Sequence, residues 1–188
     1  GVRNNLYEYA LTGLANYASA NPSCVDKVRE GFSQAIKITN DINNKALLLN
    51  LLRQIAKPAD APLFKEYVND PALASTAIGA LVDIPGTEDL ILDLVKEGSA
   101  DRKLLATAAA EKGITAAEPY IQKWVIPTVL NSTMHDNAYF SALAAIGSES
   151  SLNILKENST PDYAALAVRL ADGSKSKAVA KAAKDLMT

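Results

Sequence analysis

The stretch Ile84-Pro85-Gly86-Thr87-Glu88-Asp89-Leu90-Ile91-Leu92-Asp93-Leu94-Val95 decides the fold. A proline-glycine turn closes one apolar run, and Ile91 with Leu94, flanked by Leu90 and Val95, opens the core-facing side of a helix. The same i, i+3 pair stands upstream as Phe64 and Tyr67, and downstream as Ile121 and Trp124, Leu152 and Leu155, and Val179 and Ala182. Successive intervals are 27, 30, 31 and 27 residues. Leu63 and Val68 widen the first stripe and Tyr120 and Val125 the third, whereas Ser151 and Lys156 flank the fourth. Each pair is preceded by a helix rich in alanine and leucine that ends near Ile55, Ile84, Ile114, Ile146 or Leu170. Ala74, Ala109, Ala144 and Ala165 leave room for close helix contact. A two-helix unit of about 29 residues cannot bury its apolar faces alone and must stack on its neighbours.

Helix ends are written in capping chemistry, because the first N–H and last C=O groups of a helix need partners outside it. Asp70-Pro71 and Thr160-Pro161 place an acceptor before a proline at the first helical position, and Thr115 with Glu118 fits a capping box. Gly86, Gly98, Gly113, Gly147 and Gly173 stand where left-handed helix ends are expected. Upstream, Leu6, Ala10, Leu14 and Tyr17 form one helical stripe. Val25, Val28, Phe32 and Ile36 form another after the break at Asn21-Pro22-Ser23. The reading is all-α, with six antiparallel helix pairs: 4–20 with 24–38, 41–57 with 60–69, 71–84 with 87–97, 101–113 with 116–126, 133–146 with 149–157, and 161–172 with 175–187. Pro127 to Asp136 is read as a surface loop between pairs.

Short pairs with this spacing resemble HEAT repeats, particularly the compact type of about 30 residues with an Ile-Gly-Ser turn ahead of the second helix. Ile146-Gly147-Ser148 matches that turn best, Ile84-Pro85-Gly86-Thr87 is a variant, and Ile55 to Asp60 a looser one. The resemblance covers residues 41–188. It implies a right-handed α-solenoid, with residues 1–188 as a single HEAT-like repeat domain. The start at Gly1, already in helical pattern by Leu6, reads as a piece of a longer protein. Arrays that this chain resembles mostly act as scaffolds or protein-binding surfaces. The sequence is also similar to HEAT-like regions attached to secreted bacterial proteins with a glycoside-hydrolase-like β-sandwich. That similarity implies a carbohydrate-active neighbour domain in the same chain and a periplasmic or secreted location. A bilin-lyase-like HEAT enzyme is the other alternative.

Composition removes several classes. Hydrophobic residues make up 48% and charged residues 21%, as in an ordinary globular domain. A net charge of −2 gives no overall field for nucleic-acid phosphates, so no nucleic-acid partner is expected. The single cysteine, Cys24, excludes an internal disulfide and a thiolate zinc cage, and reads as a small core residue. No apolar run reaches the roughly 18–20 residues needed to span a bilayer, and the N-terminus lacks the order of a signal peptide.

A constellation of catalytic residues is not found. His135 is the only histidine, and its neighbour Asp136 does not share a helix face with it. No metal or cofactor is therefore expected, and the His-Glu pairs of the di-iron HEAT-like hydroxylases are missing. Glu88, Asp89 and Asp93 read as first-turn acids facing the positive end of a helix dipole. No EF-hand, P-loop, dinucleotide fingerprint or Gly-x-Ser-x-Gly elbow occurs. Lys175, Lys177, Lys181 and Lys184 read as a solvated cap on the last helix. Phe64, Tyr67, Tyr120 and Trp124 read as core, while adjacent Tyr139 and Phe140 cannot both enter one interface, so one is expected outside. The expected function is a non-catalytic protein–protein interaction or scaffolding module. Its second helices would line the concave face with Lys65, Glu66, Asp93, Gln122, Lys123, Asn153 and Lys156.

Overall fold

The computed structural model describes residues 2–131, 137–157 and 177–185, and among these every regular element is helical. Two compact units divide the chain, residues 1–87 and 88–188.

The first unit holds α1 (Val2–Ala20), α2 (Pro22–Ile38), α3 (Ile42–Ile55), a 3-10 turn at Pro58–Asp60 running into the short α4 (Ala61–Lys65), and α5 (Ala74–Asp83). Helices α1, α2 and α3 pack on one another, α3 also packs on α5, and α5 on α4. The second unit holds α6 (Glu88–Glu97), α7 (Arg102–Glu111), a 3-10 turn at Thr115–Ala117, α8 (Glu118–Asn131), α9 (Asn137–Ile146), α10 (Glu149–Glu157) and α11 (Lys177–Asp185). Here α7 packs on α6 and α9, and α8 on α6, α9 and α10, with α11 on α10. In the first unit α1, α3 and α5 follow one another in contact, and in the second α6, α8, α10 and α11 do, with α7 on α9.

The turn isoleucines anchor this packing. Ile55, Ile84, Ile114 and Ile146 are all buried, as are Phe64, Ile91, Leu94, Ile121, Trp124, Val68, Val95 and Val125 from the second-helix stripes. Tyr67 is half-buried. Leu152, Leu155, Val179 and Ala182 lie in helices whose side chains at those positions are outside the described set, as are the segment 161–172 and Gly173. Asp41 caps α3 by accepting from the Asn44 N–H at 2.9 Å, and Asp101 caps α7 by accepting from Lys103 and Leu104 at 2.9 and 3.2 Å. Thr87 is buried, with its hydroxyl shared between the carbonyls of Leu81 and Ile84 at 2.5 and 2.9 Å.

Five expectations are corrected. Helix α5 starts at Ala74 rather than 71: Asp70 accepts from the Ala72 N–H at 2.9 Å and its carbonyl from Leu73 and Ala74, which spends residues 71–73 on a turn. Helix α8 continues through Pro127 to Asn131 instead of yielding to a loop, and residues 132–136 lie outside the described set. Proline removes one internal hydrogen bond at a cost of about 3 kcal/mol, and the burial of Ile121, Trp124 and Val125 in the preceding turns outweighs it. Gly86, Gly98 and Gly113 do adopt left-handed backbone, at φ of 77°, 62° and 67°, but Gly147 does not. A Cβ at Gly147 would overlap the Leu143 carbonyl and the Ser151 hydroxyl, so glycine is there for space. Tyr139 and Phe140 are both buried, because α9 is covered by α7 and by α8. Tyr139 meets the Trp124 ring at 6.1 Å between centroids.

The fifth correction concerns α1. The stripe Leu6, Ala10, Leu14 and Tyr17 faces solvent, while Ala15 and Ala18 are the buried residues of this helix. Its partner α2 follows expectation, with Phe32 and Ile36 buried and Val25 and Val28 half-buried. Cys24 is half-buried and donates its thiol to the Asn21 carbonyl at 3.3 Å.

Candidate functional site

Glu118 opens α8 and reaches away from its own helix. Its Oε1 accepts from the Ser148 N–H at 2.7 Å and from the hydroxyls of Ser148, Ser150 and Ser151 at 2.8, 3.3 and 2.6 Å. Gln122, one turn along α8, donates its amide to the same oxygen at 3.1 Å and to the hydroxyls of Ser150 and Ser151 at 2.9 Å each. Ser148 stands just before α10, so the Glu118 carboxylate supplies from another helix the negative charge and acceptor that a helix N-terminus requires. Burial pushes the Glu118 carboxyl up, but the Ser151 hydroxyl and then the Ser148 N–H and hydroxyl and the Ser150 hydroxyl outweigh it and hold the group below its ordinary value. The expected capping box with Thr115 is absent: the Thr115–Ala117 turn has no side-chain cap, and Glu118 serves α10 instead.

The Glu118 bridges span 30 to 33 residues, about one repeat. Other polar links keep that span. Arg29 on α2 is buried and donates Nε to Asp60 Oδ2 at 2.7 Å, 31 residues on, while its Nη1 reaches Asp26 at 2.7 Å. The Asp60 carboxylate also takes the Lys57 N–H at 2.8 Å, and the Lys57 ammonium returns to Asp26 at 2.7 Å across 31 residues. Those contacts, Lys57 first and Arg29 second, hold the Asp26 carboxyl below its usual range. Arg53 on α3 donates to Asp83 at the end of α5 at 2.5 Å, 30 residues away. Lys45 over the Tyr67 ring at 5.2 Å and Arg102 over the Trp124 ring at 5.7 Å repeat one cation–aromatic pairing in two different units of the sequence.

Arg53 and Asp83, with Asn50, Gln54, Ala56 and Ile84, line an open hollow of about 540 Å³ between α3 and α5. The Arg53 guanidinium lies close against Gly79, where a Cβ would collide with it. Helix α5 has no basic residue in its last turn and ends in Asp83, so Arg53 supplies the cation that this C-terminus lacks. The hollow thus contains a neutralised ion pair.

Of the seven residues expected on a concave face, Gln122 is drawn into the Glu118 network and is half-buried. Lys65 and Glu66, at the end of α4, are exposed, as are Asp93, Lys123 and Asn153. Asp93 pairs with Lys96 at 2.9 Å, and the Lys123 ammonium sits over Tyr120 at 5.6 Å. Lys156 belongs to α10, with its side chain outside the described set. The first-turn acids of α6 do not converge: Glu88 meets Lys112 at 3.3 Å while Asp93 turns to Lys96. Its own backbone N–H, followed by Lys112, holds the Glu88 carboxyl low. Lys177, Lys181 and Lys184 are exposed on α11; Lys175, His135, Asp136 and the Asn-x-Ser/Thr stretches at 131–133 and 158–160 lie wholly or in their side chains outside the described set. Among the described residues no three His, Cys, Asp or Glu side chains gather as a metal-binding group, and no helix is long and apolar enough to cross a membrane.

Sequence reasoning missed Glu118 with its serines, and Arg53 with Asp83. The signal was present in the form of complementary polar residues one repeat apart. No family model matches the chain, and no curated protein and no solved structure matches it.

Proposed function

We propose that this chain is a non-catalytic protein–protein interaction or scaffolding module built as a HEAT-like α-solenoid. The observation that carries the reading is the one-repeat span of the polar bridges: Arg29 to Asp60, Lys57 to Asp26, Arg53 to Asp83 and Glu118 to Ser148. Each ties a helix pair to its neighbour in sequence, which is how a stacked array without a unique centre is held together. These bridges consume the polar groups nearest the helix junctions, and leave Lys65, Glu66, Asp93, Lys123 and Asn153 exposed on second helices or just beyond them. A rigid support carrying solvated, chemically mixed side chains suits recognition of a folded protein surface, where charge complementarity sets partner choice.

The test is affinity capture with the chain as bait, quantified against a Lys65→Glu/Lys123→Glu/Asn153→Arg variant of unchanged helicity. Gln122 is left intact because it supports the Glu118 network. A protein retained by the native chain and depleted at least tenfold by the variant supports a binding face on the second helices. Identical retention by both forms refutes it.

A further inference from the structure

We infer that the outer face of α1 is a self-association surface, on which a second copy of this chain docks by its own α1. Among the described residues, seven large apolar side chains are strongly exposed. Five of them, Leu6, Tyr7, Tyr9, Leu14 and Tyr17, lie on this one helix at 64%, 68%, 82%, 42% and 60% exposure. At 3.6 residues per turn, Gly13, Leu6, Tyr17, Ala10, Leu14 and Tyr7 fall in that order around roughly a third of the circumference. Ala15 and Ala18, the buried residues, lie beyond its edge and face the rest of the unit. A helix apolar on both sides is one that expects neighbours on both sides. The helices α2 and α3 supply only one set.

Two observations select a copy of this chain as the occupant. The first is area. At roughly 200 Å² per fully exposed side chain of this size, Leu6, Tyr7, Leu14 and Tyr17 present on the order of 500 Å². A stable dimer buries about 800 Å² per partner, about 65% of it apolar, which is again about 500 Å². The second is charge. Arg3 and Glu8 are the only charged residues in Val2–Ala20; Glu8 falls on the side of the helix away from this arc, and Arg3 falls on the arc, near its N-terminal end. A face with one charge, at its end, gives an acidic or basic partner little to select, and in an antiparallel pair centred on Ala10 the two Arg3 positions stand roughly 20 Å apart along the axis, which keeps like-charge repulsion small. At its middle, Ala10 and the exposed Gly13, with nothing in the chain within 4 Å of where a Cβ would stand, allow two helices to approach closely. In a two-fold interface the residues at the axis meet their own copies.

The experiment is sedimentation equilibrium of the chain from about 1 to 200 µM, a range that brackets a modest interface of this size. The native chain is expected to rise from 19.9 kDa to twice that mass. A Leu14→Glu/Tyr17→Glu variant, whose side chains are exposed in the single chain, is expected to keep its helical circular dichroism and to dissociate at least tenfold more readily. Ala10→Cys in a Cys24→Ser background is expected to form an intermolecular disulfide on oxidation, and Lys181→Cys in the same background is not. A native chain that stays at 19.9 kDa up to 200 µM overturns the inference, even if the face binds some other protein. So does a variant that dimerises as well as the native chain, or equal cross-linking at positions 10 and 181.

Discussion

Replacing Glu118 by alanine removes the acceptor for five donor contacts at a single oxygen, and the structure sets the size of the loss. Ser151 is only 2% exposed, so its hydroxyl, 2.6 Å from Oε1, loses an acceptor that water does not replace. Ser148 and Ser150 are exposed, and water takes over much of what they lose. Hydrogen bonds to a charged group contribute about 1.5–3 kcal/mol each, and orphaning a buried donor costs about 1–3 kcal/mol. With the solvated contacts discounted, Glu118→Ala is expected to destabilise by about 2–3 kcal/mol. Glu118→Gln, which keeps an oxygen acceptor without the charge, is expected to cost about 1 kcal/mol. Urea unfolding gives the totals, and native-state hydrogen exchange locates them: the Ser148–Ser151 amides at the start of α10 should lose protection first. The linkage has a definite sign. The folded Glu118 carboxyl is held below its ordinary value, so its contribution is complete above the unfolded value of 4.5 and is lost as pH falls through the lower folded value. The gap between native chain and Glu118→Gln should therefore close in strong acid. A Glu118→Ala variant within 0.5 kcal/mol of the native chain, or protection lost evenly along the chain, would refute this reasoning (a threshold of about the ordinary spread of surface substitutions).

Gly147→Ala should lower the melting temperature sharply, by about 2–3 kcal/mol in stability, because the new methyl meets the Leu143 backbone rather than a side chain that can yield. A thermal melt unchanged from the native chain would contradict that. Arg29→Ala should cost about 3–5 kcal/mol, since it strands the buried Asp60 carboxylate; chemical unfolding of Arg29→Ala/Asp60→Ala should recover part of the loss. Gly31→Ala, in the middle of α2 with nothing within 4 Å of the new carbon, should stabilise by about 0.5–1 kcal/mol, read as a raised urea midpoint.

The all-helical fold was legible because the helix ends carry the same physical requirement each time: Ile55, Ile84, Ile114 and Ile146 must all be buried to close a turn, and they are. What a helical period cannot say is which side of a helix has a neighbour. In α1 the pattern marked Leu6, Ala10, Leu14 and Tyr17 as one face, and the fold buries Ala15 and Ala18 instead. Pro127 departs from the sequence pattern for a related reason: a local penalty says nothing of the packing that overrides it. The Thr115–Glu118 pattern is that of a capping box, but the 3-10 turn at Thr115–Ala117 puts Glu118 at the first position of α8 and frees it for Ser148. The exposure of Lys65, Glu66, Asp93, Lys123 and Asn153 was legible as the polar side of amphipathic helices. Gln122 was not, because its two hydroxyl partners come from the next pair.

In the stacked array proposed above, bridges that each span one repeat imply a graded response to tension. Loosening the junction held by Arg29–Asp60 and Lys57–Asp26 leaves Glu118 holding Ser148 untouched, for the two sites share no residue. Pulled from its ends, a stacked array of the kind proposed is expected to lengthen in instalments rather than in one collapse. Each instalment would free about 30 residues, on the order of 100 Å of extended polypeptide, which would make the proposed array a spring with discrete stops.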